Sequence, residues 1–188
     1  VKEHIQQVMH SSAKSDWRTP TPLFNALDEE FGFTVDVAAG SMSCLVYVLE
    51  KPMWFGPGGL QEDGLVARWG SMTCFMNPPY SKKEHLPIEP WIEKAWLESR
   101  QGATVVGVLP FNPQTKWFRR HVMGLTDALP TSFHAAMEVR MLPHRVTFSR
   151  PNGEPADNAP GNTCIVVWRP NPGYVGPWTP AMRYWSYR

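Results

Sequence analysis

Apolar positions along this chain recur first at helical spacing, then in short unbroken runs, and the two patterns alternate. Leu23, Phe24, Leu27 and Phe31 lie on one helical face and stop at Gly32. Thr21 before Pro22 predicts an N-cap followed by proline at the first helical position. Residues 33–38 (Phe-Thr-Val-Asp-Val-Ala) read as a strand with Asp36 inside it and Gly40 just beyond. Residues 45–49 form a second apolar run, and residues 51–64, rich in Gly and Pro, read as a loop. A short buried strand is expected over 72–76. A helix is expected over 90–100, with Trp91, Ile92, Ala95 and Trp96 on one face and Gly102 as its stop. Residues 103–109 are the continuous β-branched run typical of parallel sheets. Residues 114–123 predict a helix ended by Gly124. Residues 138–142 and 146–148 predict a pair of strands, 151–161 a polar loop with a turn at Asn152-Gly153, and 163–168 a last strand.

Strands alternating with helices predict an α/β sheet covered on both faces. Ligands of such sheets bind beyond the carboxyl ends of the strands. Asp36, Asn77 and Pro110 each fall at or near such an end, so three distant segments should meet at one edge. The polar residues 1–15 read as a loose arm, 16–170 as the folded domain, and 171–188 as a tail rich in Pro, Trp and Tyr without periodicity.

Composition narrows the picture. A chain of 188 residues suits one domain, and 43% hydrophobic residues make it globular rather than disordered. With 19% charged residues and a net charge of +1, any nucleic-acid binding must rest on local patches. Cys44, Cys74 and Cys164 are odd in number and far apart, which predicts buried thiols in a reducing compartment, not a disulfide framework or zinc site. No His/Cys cluster invites a metal. No signal-peptide pattern or long uncharged apolar segment stands in the sequence, so a cytoplasmic protein without a membrane partner is expected.

The chemistry concentrates at Asn77-Pro78-Pro79-Tyr80, directly after the apolar run 72–76. Two prolines fix two φ angles and remove two backbone donors. The result is a stiff turn with free carbonyls. The Asn77 side-chain oxygen and a proline carbonyl can both accept hydrogen bonds from one exocyclic NH2 group, while Tyr80 stacks on the ring that carries it. Such a turn holds a planar amino-heterocycle and aims its nitrogen lone pair at an electrophile. Pro-Pro after a strand is also an ordinary loop, and Asn before Pro an ordinary turn opener.

Around these residues the chain resembles the phage-type DNA adenine-N6 methyltransferases. The resemblance begins at Ser15-Asp16-Trp17-Arg18-Thr19-Pro20 and runs through Leu23-Phe24, Glu30-Phe31-Gly32-Phe33, Asp36-Val37-Ala38-Ala39 and Asp63-Gly64-Leu65 with Trp69. It continues in Asn77-Pro78-Pro79-Tyr80-Ser81, Trp91-Ile92-Glu93-Lys94-Ala95, Leu109-Pro110 and Lys116-Trp117-Phe118. It closes with residues 140–148, Arg-Met-Leu-Pro-His-Arg-Val-Thr-Phe. The resemblance implies a Rossmann-like, S-adenosylmethionine-dependent methyltransferase fold. Its sheet would be mixed but mostly parallel, with a terminal antiparallel hairpin. The activity implied is methyl transfer to adenine in double-stranded DNA, in a bacteriophage or prophage setting that includes restriction–modification. Between Ala39 and Asp63 the chain departs from the family pattern, and the ribose-binding acid has no clear position. Glu50 is one candidate, a solvated loop glutamate the other reading.

The resemblance implies a role for several residues. Thr19 and Pro20 would touch the methionine end of the cofactor, although the same residues also suit a plain approach to a helix. Asp36, an acid in an apolar strand, suits the positive charges of a sulfonium compound; a buried salt bridge is the alternative. Ala38, Ala39 and Gly40 are small enough for close approach of a ligand to the backbone, and Asn77 adjoins the cofactor as well as the base. Asp63 would accept a hydrogen bond from the cofactor's adenine amine, or simply open a turn before Gly64. Asn77, Pro78, Pro79 and Tyr80 would hold the target adenine, flipped from the duplex. Candidate DNA contacts are Lys82 and Lys83, then Lys116, Arg119 and Arg120, then Arg140, His144, Arg145 and Arg150, each of which could equally be a solvated charge. Asn-Pro-Pro-Tyr also serves methyltransferases of protein glutamine, RNA adenine and cytosine, and an inactive DNA- or cofactor-binding module is the alternative of a different class.

Overall fold

The computed structural model describes residues 18–40, 53–79, 87–125, 135–149, 162–170 and 179–187. Among them six strands form one sheet: β1 (Val35–Asp36), β2 (Thr73–Met76), β3 (Thr104–Pro110), β4 (Glu138–Met141), β5 (Thr163–Trp168) and β6 (Ala181–Tyr184). The order across the sheet is β1-β2-β3-β5-β4-β6. The pairs β1/β2, β2/β3 and β4/β6 are parallel, while β3/β5 and β4/β5 are antiparallel. The sheet is therefore mixed rather than mostly parallel. The reversal comes from β5, which returns between β3 and β4 and sets both of its pairings antiparallel.

Helix α1 (Thr21–Phe31) covers one face, and helix α2 (Glu89–Arg100) the other. Leu23, Phe24 and Leu27 of α1 pack with Phe75, Val106, Val108, Ile165 and Val167. Ile92 and Ala95 of α2 pack with Val35, Cys74, Met76, Val105 and Leu109. Strand residues alternate between the two cores because successive side chains point to opposite faces. Covering both faces is also why β3 and β5 are apolar along their length.

Several local expectations need correction. Thr21 is not the cap of α1: Pro20 holds that position, no side chain caps it, and Thr21 is already helical and exposed. The strand expected over 33–38 shrinks to Val35–Asp36, because a turn begins at Val37. The helix expected over 114–123 is present at residues 116–122 but widens: after α-helical residues 116–117 it is π-helical over Phe118–Val122, where Met123 N donates to Phe118 O at 3.0 Å. Residues 146–148 form no strand; Val146 and Phe148 nevertheless pack onto the α1 face. The apolar run 45–49 and Cys44 lie outside the described residues. Cys74 and Cys164 are free, buried thiols; burial pushes Cys164 up to about 12, and burial followed by the charges of Glu98 and Asp36 raises Cys74 further.

Candidate functional site

The carboxyl ends of β1, β2, β3 and β4 lie at one edge of the sheet, since Pro110 pairs with Thr163 and Met141 with Cys164. Asp36 ends β1 and lies level with Phe75. Val35 belongs to the α2-side core and Phe75 to the α1-side core. Alternation then turns Asp36 and Asn77 to the α1 face, Asn77 two residues nearer the edge. The start of α1 reaches the same place. Thr19, 5% exposed, accepts a hydrogen bond on Oγ1 from Asn77 Nδ2 at 3.2 Å. That bond joins residues 58 apart in sequence and sets the amide with its nitrogen toward Thr19 and its oxygen on the other branch. A backbone pair between Arg18 and Ser149, at 2.8 and 3.2 Å, anchors the segment that carries Thr19.

Asp36 is buried, and its Oδ1 accepts a hydrogen bond from Ala38 N at 3.1 Å. The carboxylate thus closes the turn that brings Ala38, Ala39 and Gly40 to the edge. Asn77, Pro78 and Pro79 follow β2, with Pro78 buried and the other two half-buried. Asp63 lies across the β1 end, on the α2 side. Its Oδ1 accepts from Leu65 N at 2.8 Å, and its carbonyl accepts from Val66 N and Ala67 N. These contacts open the turn over residues 63–67.

The Gly/Pro-rich stretch before Asp63 holds the contacts that sequence reasoning missed. Trp54 pairs in parallel with Asp36 of β1: Asp36 N donates to Met53 O at 3.1 Å and Phe55 N to Asp36 O at 2.8 Å, while Phe55 itself pairs with Gln61. Two glycines then press on the turn after β1. A Cβ on Gly56, whose φ is +152°, would lie 2.2 Å from Ala39 O, and one on Gly64 would lie 1.8 Å from Val37 O. No larger residue fits either place. The signal in the sequence was only the glycine content of 56–64.

Of the cationic candidates, Lys116, Arg119 and Arg120 are exposed on the segment after β3, and His144 and Arg145 on the segment after β4. Both segments leave the edge that carries Asn77. Arg140 is different and overturns its expected role. It is fully buried, bonding Glu30 through both terminal nitrogens at 2.5 and 2.6 Å and Glu138 at 3.0 Å. Its guanidinium also lies over Phe31 and Trp185, at 5.1 and 5.5 Å. A group so enclosed cannot reach a phosphate. Tyr80, Lys82, Lys83, Arg150 and Glu50 lie outside the described residues. Among the described residues no cluster of His, Cys, Asp or Glu could hold a metal ion, and no helix is long and apolar enough to cross a membrane.

An amide-and-diproline turn thus lies beside a buried acid, next to the start of one helix. The family model described as DNA N-6-adenine-methyltransferase (Dam) matches residues 6–175. The chain belongs to this family. It is also 31% identical over 110 residues to the DNA N-6-adenine-methyltransferase of Haemophilus phage HP1 (strain HP1c1). That match covers 57% of this chain and 56% of the relative, so the chain spans about half of the relative's length. The family match takes in every site residue named above, from Thr19 to Arg145. Family membership and the convergence at the sheet edge therefore concern the same residues.

Proposed function

We propose that this protein transfers a methyl group from S-adenosylmethionine to the exocyclic amine of adenine in double-stranded DNA, on a Rossmann-like domain, in the cytoplasm of a host cell. The observation that carries this reading is the Asn77–Thr19 hydrogen bond, which brings the Asn-Pro-Pro turn to the start of α1 on the face that holds Asp36.

The residues suit such a cofactor. Asp36 is a buried carboxylate at the sheet edge, matched to a ligand bearing ammonium and sulfonium charges. The turn after it is walled by Gly56 and Gly64, where any side chain would collide with backbone. Thr19 and Pro20 would hold the methionine end, Asp36, Ala38, Ala39 and Gly40 the middle, and Asp63 the adenine amine. Bound S-adenosylmethionine supplies an electrophilic methyl group. The protein's own part is to position and to polarise. The Asn77 oxygen and the Pro78 carbonyl accept from the target amine, Pro79 stiffens the turn, and Tyr80 stacks on the flipped base. As the nitrogen–carbon bond would form and the carbon–sulfur bond break, leaving neutral S-adenosylhomocysteine, charge growing on the amine nitrogen is stabilised by those two acceptors; its surplus proton is lost to solvent, so no strong base is required before transfer. Base flipping costs a few kcal/mol, and stacking on Tyr80, worth about 1–3 kcal/mol, offsets part of it. Lys82, Lys83, Lys116, Arg120 and Arg145 would meet the phosphates.

Labelled S-adenosylmethionine incubated with unmethylated DNA, followed by nucleoside digestion and mass analysis, tests the reading. N6-methyladenine is the expected product. Label in cytosine, RNA or protein would keep the site and change the substrate, and bound cofactor with no transfer to any of them would mark an inactive binding module.

A further inference from the structure

We propose that Trp69, set by Glu98, is a positioning residue for the Asp63 side of the cofactor site; this rests on the cofactor reading above. Trp69 is fully buried, and its indole Nε1 donates to Gly64 O at 2.9 Å. Its backbone N donates to Glu98 Oε2 at 3.0 Å. Glu98 is itself buried on α2, and its other oxygen accepts from Lys94 Nζ at 2.6 Å. The Lys94 ammonium lies 5.8 Å from the centre of the Trp69 ring. The indole is therefore gripped by a helix at its backbone and grips a loop with its side chain.

The loop it grips is the one that matters to the site. Gly64 follows Asp63, and its α-carbon is pressed so closely on Val37 that a Cβ would meet the Val37 carbonyl. The indole bond fixes the peptide plane after Gly64. Asp63 and the turn after β1 are thereby held in register with each other, and through Glu98 with α2. Without the indole donor that plane can rotate, and both cofactor-facing elements lose their mutual alignment while the core stays filled.

The same molecule holds an internal control. Trp168 is 1% exposed, and its Nε1 donates to His121 O at 3.2 Å. It pairs with Val105 near the start of β3, at the opposite edge of the sheet. Trp→Phe removes the same buried indole donor at either place, but only at Trp69 does the accepting carbonyl adjoin the site.

The test uses the full chain, titrated with S-adenosylhomocysteine in a calorimeter, with melting temperature measured beside it. Trp69→Phe should weaken binding roughly tenfold, the equivalent of about 1.4 kcal/mol. Turnover at saturating cofactor should stay within about twofold of wild type, because the lost interaction acts on binding. Trp168→Phe should lower the melting temperature comparably yet change affinity by less than about twofold. Equal loss of affinity in both variants, or no loss in Trp69→Phe, would overturn the proposal and leave the cofactor reading standing. Failure of the wild type to bind S-adenosylhomocysteine would sink both. If Trp69→Phe does not fold, Glu98→Gln, which keeps the shape, takes its place with an expected loss of about threefold against the same control.

Discussion

Among the described residues a side-chain tie to the sheet stands near each end of helix α1, and the two differ in strength and chemistry. Just before its N-terminal end a neutral hydrogen bond runs from Asn77 to Thr19 at 3.2 Å. At its C-terminal end Glu30 meets Arg140 through two charge-assisted bonds, and Arg140 also reaches Glu138, which in turn bonds Arg183 at 2.6 Å. The aromatic rings of Phe31 and Trp185 enclose the same guanidinium. A neutral hydrogen bond contributes about 0.5–1.5 kcal/mol, and a buried ion pair costs several times that to break. The strong tie thus lies away from the candidate site and fixes the helix. The weak tie lies in the site, where polar groups can be exchanged for those of a ligand at little cost to the fold.

That contrast can be broken in four ways. Asn77→Ala should reduce methyl transfer by about 10²-fold or more, as loss of a charge-stabilising acceptor does, while the lost hydrogen bond to Thr19 lowers the melting temperature by only a few degrees. A steady-state rate beside a thermal scan checks it, and wild-type turnover would remove Asn77 from the site. Arg140→Met should do the reverse. It should destabilise the fold by about 3 kcal/mol, at the lower end for a buried pair because Glu30 is partly exposed and can rehydrate. Urea unfolding measures the loss, and rate per folded molecule should be unchanged. Thr19→Val removes only the hydroxyl of the weak tie. A stability loss of about 1 kcal/mol is expected, with a weaker apparent affinity for cofactor and little change in saturated rate.

The smallest effect should appear only in acid. Hydrogen bonding to Arg140 lowers the pKa of Glu30 against an opposing effect of burial, and the charges of Arg140, Arg183 and Arg169 lower it further. A depressed carboxylate stabilises the fold fully above its ordinary pKa and loses that contribution as pH falls through its lowered value. Melting temperature followed on acidification should therefore drop less steeply in Glu30→Gln than in wild type. Parallel acid limbs would mean that the tie at this end of α1 is not electrostatic.

Much of this was readable beforehand, for a physical reason. Strands buried on both faces must be apolar throughout, so β2, β3 and β5 stand out as runs. Helix α1 shows its buried stripe at Leu23, Phe24 and Leu27. The Asn-Pro-Pro turn is legible because proline fixes the backbone locally. Arg140 was not. Its partner Glu30 lies 110 residues away, and a lone arginine in a strand looks the same whether it faces solvent or a buried carboxylate. The pairing of Trp54 with Asp36 of β1 was hidden in the same way, because it depends on an edge supplied by another segment. The strand β6 was equally hidden, since its four residues are all exposed and carry no periodic pattern.

The sequence by itself determined the two helices, the apolar strands β2, β3 and β5, the covered sheet and the chemistry available at the strand ends, since these follow from local sterics and from apolar spacing. Only the tertiary structure decided which groups meet. It set Asn77 against Thr19, Gly64 against Val37, Trp69 against Glu98 and Arg140 against Glu30. Each pair joins segments whose proximity depends on strand order and register. Those are settled by the packing of the whole sheet and leave no mark in the spacing of any one segment.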